Sequence, residues 1–137
     1  MNTGLNREHT YIARVGATAS ANNTHGIDGY YADGSSFEFK TLLGSCPSLG
    51  GKYVLENERN IRSAIVNYLV ADWFVVEVAE GEYLNLNKAE AVEWLMAHVS
   101  LTRTSSKRGG HAKLRINRSE RTASATAKLL AEGYTLS

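Results

Sequence analysis

Six consecutive residues, from Trp73 to Val78, limit the folds that are open to this chain. They read Trp-Phe-Val-Val-Glu-Val, and β-branched and aromatic residues of this kind are enriched in strands. A run in which nearly every position is apolar is typical of a strand that is covered on both faces. We therefore predict a central β-strand over residues 73–78, with other elements packed around it.

Turn signals and hydrophobic periodicity place the other elements. Residues 27–32 and 36–43 predict two strands of a hairpin around Asp33-Gly34, and further strands are predicted at 83–86 and 112–117. Apolar residues at helical spacing predict helices at 5–16, 57–69, 88–100 and 119–132, with loops at 17–25, 44–51 and 105–110. Asn87 and Glu90 predict a capping box, and Gly133 a helix stop. The order predicts one α/β domain over 1–137, in which helices flank a central mixed sheet.

The composition excludes several classes of protein. With 137 residues, of which 43% are hydrophobic and 21% charged, the chain is ordinary for a soluble globular protein. No apolar stretch approaches a membrane span and no signal sequence opens the chain, so we expect a cytoplasmic protein without a membrane partner. The single cysteine, Cys46, excludes an internal disulfide and a cysteine-cluster zinc site, and the four histidines lack zinc-motif spacing.

Charge is distributed unevenly, although the formal net charge is only +1. Between Arg103 and Arg121 seven Lys/Arg stand against one acid, whereas between Glu56 and Glu93 eight acids stand against three bases. Local potential, rather than the global sum, steers a polyanion. The late basic segment is therefore the candidate surface for DNA, although a solvated basic face is the alternative. The candidate DNA-binding residues are Arg103, Lys107, Arg108, His111, Lys113, Arg115 and Arg118.

Asp28, Glu38 and Lys40 are the candidate catalytic residues. The segment from Ser36 to Lys40 alternates polar and apolar residues, so Glu38 and Lys40 should share one face of a strand. Their Cα atoms would then lie about 6.6 Å apart. That spacing suits a carboxylate on a hard metal ion and an ammonium group on the water that the metal activates. Taken alone, a Glu-x-Lys triplet is also common on exposed strands.

The wider pattern resembles the PD-(D/E)XK nuclease superfamily. A helix with Glu8 is followed by Asp28, by Glu38-Phe39-Lys40, and then by a helix that leads to a hydrophobic strand. Ile27-Asp28 stands where the signature has Pro-Asp. The ten-residue step from Asp28 to Glu38, the Glu-Phe-Lys-Thr run, and Tyr68 five residues before Trp73 are similar to small type II restriction endonucleases of the Pvu II kind. The resemblance covers roughly residues 22–100.

This resemblance implies a role for each matching residue. Asp28, Glu38 and the main-chain carbonyl of Phe39 would hold Mg²⁺, and Lys40 would position the attacking water. Tyr68 would lie near the metal, or would instead be a core tyrosine. Glu8 would be an auxiliary acid, or else an exposed helix charge. Base recognition does not carry over, because Glu58 stands where those enzymes have a histidine.

The sequence thus predicts a Mg²⁺-dependent endonuclease that hydrolyses double-stranded DNA. One small domain offers one active site, so cutting both strands predicts a homodimer. A homing or mobile-element nuclease would share this core with a restriction enzyme. The alternative from another class is a noncatalytic DNA-binding or assembly protein that keeps the nuclease fold.

The predicted hairpin carries a constraint on its register. A two-residue Asp33-Gly34 turn would place Asp28 opposite Phe39, on the face away from Glu38 and Lys40. An odd loop or a bulge reverses that relation. We therefore predict an irregular hairpin, with Asp28 opposite Lys40 and with the carboxylates of Asp28 and Glu38 within about 6 Å.

Overall fold

A computed structural model describes residues 4–21, 26–44, 46–49, 55, 58–103, 112–120 and 130–136. The chain is α/β with a mixed sheet, as predicted. It divides into two compact units, the first formed by Met1–Ser45 and Leu69–Ala91, the second by Cys46–Tyr68 and Val92–Ser137. That residues 1–137 form one domain, and that its fold is restriction-endonuclease-like, stay predictions.

The first unit contains helix α1 (Gly4–Val15) and a five-stranded sheet. Its strands are β1 (Thr18–Ala19), β2 (Gly29–Tyr30), β3 (Ser36–Thr41), β4 (Trp73–Ala79) and β5 (Glu82–Asn87). They lie in the order β1-β2-β3-β4-β5, with β3 and β4 parallel and the other neighbours antiparallel. The prediction of an apolar strand inside the sheet is confirmed, because β4 lies between β3 and β5. Two predictions for this unit are wrong: loop 17–25 contains β1, whose Thr18 pairs with Tyr30, and the first hairpin strand is shorter than 27–32.

Helix α1 packs on this sheet through Tyr11, which is only 1% exposed. The Tyr11 ring centroid lies 5.4 Å from that of Phe37, 5.4 Å from that of Phe39 and 4.8 Å from that of Tyr83. Aromatic contacts of this kind bury much apolar surface and stabilise the helix–sheet layer. The face of β3 that carries Phe37 and Phe39 therefore forms the core beneath α1.

The second unit contains helix α2 (Ile61–Tyr68), part of α3 (Lys88–His98) and a separate antiparallel pair, β6 (Val99–Arg103) and β7 (Ala112–Ile116). The capping box at the start of α3 is confirmed, because the Asn87 N–H donates to Glu90 Oε1 and the Glu90 N–H donates to Asn87 Oδ1. The predicted extent of this helix, 88–100, is wrong at its end, where Val99 pairs with Ile116. The prediction of a single sheet is also wrong, because β7 pairs with β6 and does not join the five-stranded sheet.

Helix α2 begins at residue 61 rather than at the predicted residue 57. Asn60 caps it, because its Oδ1 accepts the Ser63 N–H at 2.8 Å. The C-terminal segment pairs beside this cap, with the Ile61 N–H donating to the Thr135 carbonyl at 2.7 Å. Of the predicted helix over 119–132, residues 121–129 lie outside the described residues; residues 130–131 are helical, and Gly133 ends the turn at a φ of 85°.

Within the described parts of the chain, no helix is both long and apolar enough to cross a membrane.

Candidate active site

The hairpin that carries the site has a three-residue loop. Tyr30 pairs with Ser36, and the Tyr31 N–H donates to the Ser35 carbonyl, which leaves residues 32–34 as the loop. The cause is local, because Asp33 Oδ1 accepts both the Ser35 N–H, at 2.9 Å, and the Ser35 hydroxyl, at 2.6 Å. The predicted odd loop is confirmed, and the two-residue Asp33-Gly34 turn does not form.

The pairing at Asp28 is also irregular. Phe37 is the strand partner of Gly29, yet its carbonyl accepts the Asp28 N–H at 2.8 Å. Asp28 Oδ2 in turn accepts the Phe39 N–H at 2.7 Å, so this carboxylate replaces a main-chain acceptor beside β3. The predicted register, with Asp28 opposite Lys40, is wrong by two residues. Tyr30 pairs with Ser36 and Gly29 with Phe37, so the position opposite Asp28 in this register is Glu38. A shift of two preserves the alternation of faces.

Glu38 and Lys40 lie together, as predicted. Glu38 is only 4% exposed although it is an acid, and its Oε2 lies 3.6 Å from the Nζ of half-buried Lys40. Both side chains alternate along β3 with the core residues Phe37 and Phe39, which fixes the strand beneath them. A carboxylate in this environment is expensive to bury, so the neighbouring ammonium group contributes to its stability.

Glu8 reaches the site from α1. It is half-buried and forms a hydrogen bond with Asp28, so it is not the exposed helix charge that was one alternative. Burial and the charge of Asp28 raise the pKa of Glu8 to about 7, while the positive charge of Lys40 acts in the opposite direction. Near neutral pH the Glu8 carboxyl group is therefore protonated in about half of the molecules.

Asp28 links the parts of this site. It contacts Glu8 on one side and, on the other, the main chain of Phe39, the residue between Glu38 and Lys40. Among the described residues, no group of three or more His, Cys, Asp or Glu side chains is placed to hold a metal ion. The ligand set predicted from the sequence contains only two such side chains, Asp28 and Glu38, together with the main-chain carbonyl of Phe39. These residues fit a hard divalent cation in chemistry, because carboxylate and carbonyl oxygens are the ligands that Mg²⁺ prefers.

A buried acid that the sequence did not single out lies in the same unit. Glu77 on β4 is only 1% exposed and accepts hydrogen bonds from Arg7 Nε at 2.7 Å and Nη2 at 2.6 Å. Thr41 Oγ1 donates to the same carboxylate at 2.8 Å. The signal was present, because Glu77 is the only charged residue in the apolar run 73–78.

The predicted DNA-binding residues and Tyr68 belong to the second unit. Tyr68 is buried at the end of α2, and its place near a metal stays a prediction. Lys113 and Arg115 are half-buried on β7, and Arg115 Nη1 donates to the Cys46 carbonyl at 2.9 Å, while Arg118 is exposed. Arg103 ends β6 with its side chain outside the described part, and Lys107, Arg108 and His111 lie outside the described residues.

The two units differ strongly in charge. The first contains four Lys/Arg and nine Asp/Glu, a formal net charge of −5. The second contains eleven Lys/Arg and five Asp/Glu, a formal net charge of +6. The near-neutral total therefore conceals an acidic unit, which holds the candidate active site, and a basic one, which holds the candidate DNA-binding residues.

No family model, no curated protein and no solved structure matches this chain. A function for it therefore rests on the residues and contacts described above.

Proposed function

We propose that this chain is a metal-dependent endonuclease of the PD-(D/E)XK kind, which hydrolyses phosphodiester bonds of double-stranded DNA. The observation that carries the proposal is the position of Asp28. Its carboxylate contacts Glu8 and the Phe39 main chain, and Phe39 separates buried Glu38 from Lys40. Glu8 and Asp28 thus form an acid pair, Glu38 and Lys40 form an ion pair on the adjacent strand, and the charge of Lys40 acts on Glu8. Carboxylates and an ammonium group are the side chains that metal-assisted hydrolysis of a phosphodiester requires.

Asp28, Glu38 and the Phe39 carbonyl would hold Mg²⁺, which when bound supplies Lewis acidity and lowers the pKa of a water molecule. The remaining roles belong to the chain itself. Lys40 donates from Nζ to the water or to the negatively charged phosphate oxygens, and stabilises the charge that develops on them. Glu8 holds a proton on its carboxyl group near neutral pH and is able to exchange it. Glu38 keeps Lys40 in place through their ion pair.

The substrate class is supported by the charge of the second unit. A formal net charge of +6 favours a polyanion, and half-buried Lys113 on β7 carries a cation for a phosphate. Arg115 serves this role less well, because its guanidinium group is engaged by the Cys46 carbonyl. Cleavage of both strands of a duplex requires two active sites, and a homodimer provides them. Restriction and homing nucleases share this chemistry, so either role fits the proposal.

The decisive experiment is digestion of a long duplex DNA by the purified protein in Mg²⁺, with EDTA as the control, followed by sequencing of the ends. Asp28→Ala should reduce cleavage by at least about 10²-fold while binding to the same DNA in Ca²⁺ persists. Glu38→Ala should behave in the same way. A matched control is Glu82→Ala, which removes an exposed acid of the same unit.

The outcomes separate the two classes of function. Cleavage by Asp28→Ala within tenfold of the parent would reject the site. A parent protein that binds duplex DNA but leaves it intact in Mg²⁺ would identify the noncatalytic DNA-binding or assembly protein instead.

A further inference from the structure

Glu77 forms hydrogen bonds with both α1 and β3, the two elements that carry Glu8 and Lys40. Its carboxylate accepts both Arg7 donors from α1 and the Thr41 hydroxyl from β3, and the Gly81 N–H approaches it at 3.4 Å. Arg7 immediately precedes Glu8, and Thr41 immediately follows Lys40. Thr41 is also the parallel-strand partner of Glu77, so the contact between them is set by the sheet register.

This ion pair is poorly explained by stability alone. Removing charges from water is costly, and replacement of a buried ion pair by well-packed apolar side chains is often neutral or stabilising. The apolar attachment of α1 is already provided one turn later by Tyr11 and its aromatic neighbours. Apolar packing is non-directional, however, and by itself it leaves a helix able to shift or rotate on a sheet. A bidentate guanidinium–carboxylate pair fixes both distance and orientation.

We infer that Arg7 and Glu77 are positioning residues, which fix α1 on the sheet so that Glu8 meets Asp28 beside Lys40. The inference deepens the proposed function and rests on it, because the pair would hold the acids of the cleavage site in register. Neither residue is among the proposed metal-binding or catalytic residues. Because Arg7 and Thr41 occupy the oxygens of Glu77, this acid is not a candidate metal ligand. Burial raises the pKa of Glu77, but the hydrogen bonds from Arg7 and Thr41 lower it by more, so the net shift is downward. The charged form of Glu77 is therefore favoured beside Arg7.

The test compares Arg7→Met, Arg7→Lys and the double variant Arg7→Met/Glu77→Met with the parent. In Arg7→Met, kcat for DNA cleavage should fall by about 10- to 100-fold with KM unchanged, because a small displacement of reacting groups has effects of this size. Arg7→Lys keeps the charge without the fork and should recover part of the loss. Arg14→Met is the matched control: Arg14 lies on the same helix over the Tyr83 ring and is expected to change kcat by less than about threefold.

The double variant distinguishes positioning from simple stabilisation. Two methionines should restore the urea midpoint that Arg7→Met lowers, since no unpaired charge remains buried. They should not restore kcat, because the directional contact is absent. Recovery of both the urea midpoint and kcat in the double variant would overturn the inference.

A second readout does not depend on cleavage. In the parent, nuclear Overhauser effects should connect the Glu8 Hγ and Asp28 Hβ protons, and Arg7→Met should lose them while Arg14→Met retains them. Retention of these effects in Arg7→Met would also overturn the inference. If the parent fails to cleave DNA but the effects follow this pattern, the proposed function fails and the positioning role stands.

Discussion

Replacement of Glu8 by glutamine should make the protein more stable at alkaline pH and leave its stability unchanged in acid. In the folded protein the pKa of Glu8 is raised from 4.5 to about 7, chiefly by burial and secondly by the charge of Asp28. The folded state thus binds the Glu8 proton more tightly than the unfolded state does. The stabilisation is fully present below pH 4.5 and is lost as pH rises through about 7, where the parent must ionise a half-buried acid beside Asp28.

The magnitude follows from that difference. At 1.36 kcal/mol for each pKa unit, the full difference corresponds to about 3.4 kcal/mol. Glu8 is partly exposed and solvent screens its charge, so we reduce the expected effect to about 1–2 kcal/mol. A glutamine is neutral at every pH and can still donate a hydrogen bond to Asp28, so Glu8→Gln avoids the loss. The variant should therefore exceed the parent by about 1–2 kcal/mol at pH 8.5 and match it near pH 4.

The assay is urea unfolding at several pH values between 4 and 8.5, with EDTA present so that no divalent cation occupies the acids. Trp73 and Trp94 report on the first and the second unit respectively. Glu82→Gln, at an exposed acid, should track the parent at each pH. The reasoning is refuted if the difference between Glu8→Gln and the parent is the same at pH 4 and pH 8.5, or if the parent is the more stable protein in alkali.

Three further outcomes are expected. Lys40→Ala should reduce DNA cleavage by about 10²-fold or more in Mg²⁺, because an ammonium group beside the attacked phosphate is removed; a loss below tenfold would argue against its role. Lys113→Ala should lower the slope of log binding affinity against log salt concentration by about 0.9, the value of one phosphate contact, and an unchanged slope would place the DNA elsewhere. Gly29→Ala should destabilise the protein by about 1–3 kcal/mol in urea unfolding. The reason is that an added Cβ would lie 2.6 Å from the Phe37 ring and 2.7 Å from the Thr18 carbonyl oxygen. An unchanged urea midpoint would contradict this packing.

The elements that the sequence predicted best are those with short-range signals. Helix α1, strands β3, β4 and β5, and the capping box of α3 all depend on periodicity or on contacts within a few residues. Strand β6 was not predicted, because it begins directly after α3, and its first residue, Val99, continues the helical spacing of Val92, Leu95 and Met96. Apolar periodicity therefore extended the predicted helix over the start of the strand, although only eight residues separate β6 from its pairing partner β7.

The candidate site was likewise predictable in part. Alternation along β3 was sufficient to place Glu38 and Lys40 on one face. The odd loop was predicted, but its position was not. The Asp33 side chain bonds to Ser35, residues 32–34 form the loop, and the register at Asp28 therefore differs from the predicted one by two residues. The partnership of Arg7 with Glu77 spans 70 residues and is invisible in any local pattern.

The division of the chain into two units has a consequence for how its parts can be separated. Each unit is assembled from two stretches of chain, so the polypeptide passes between the units three times, after residues 45, 68 and 91. Strand β3 finds its parallel partner β4 only after residues 46–68, which belong to the other unit, have been synthesised. No single cut or truncation can release either unit as one continuous fragment. The acidic unit and the basic unit are therefore inherited together, and recombination cannot exchange one of them by a single crossover.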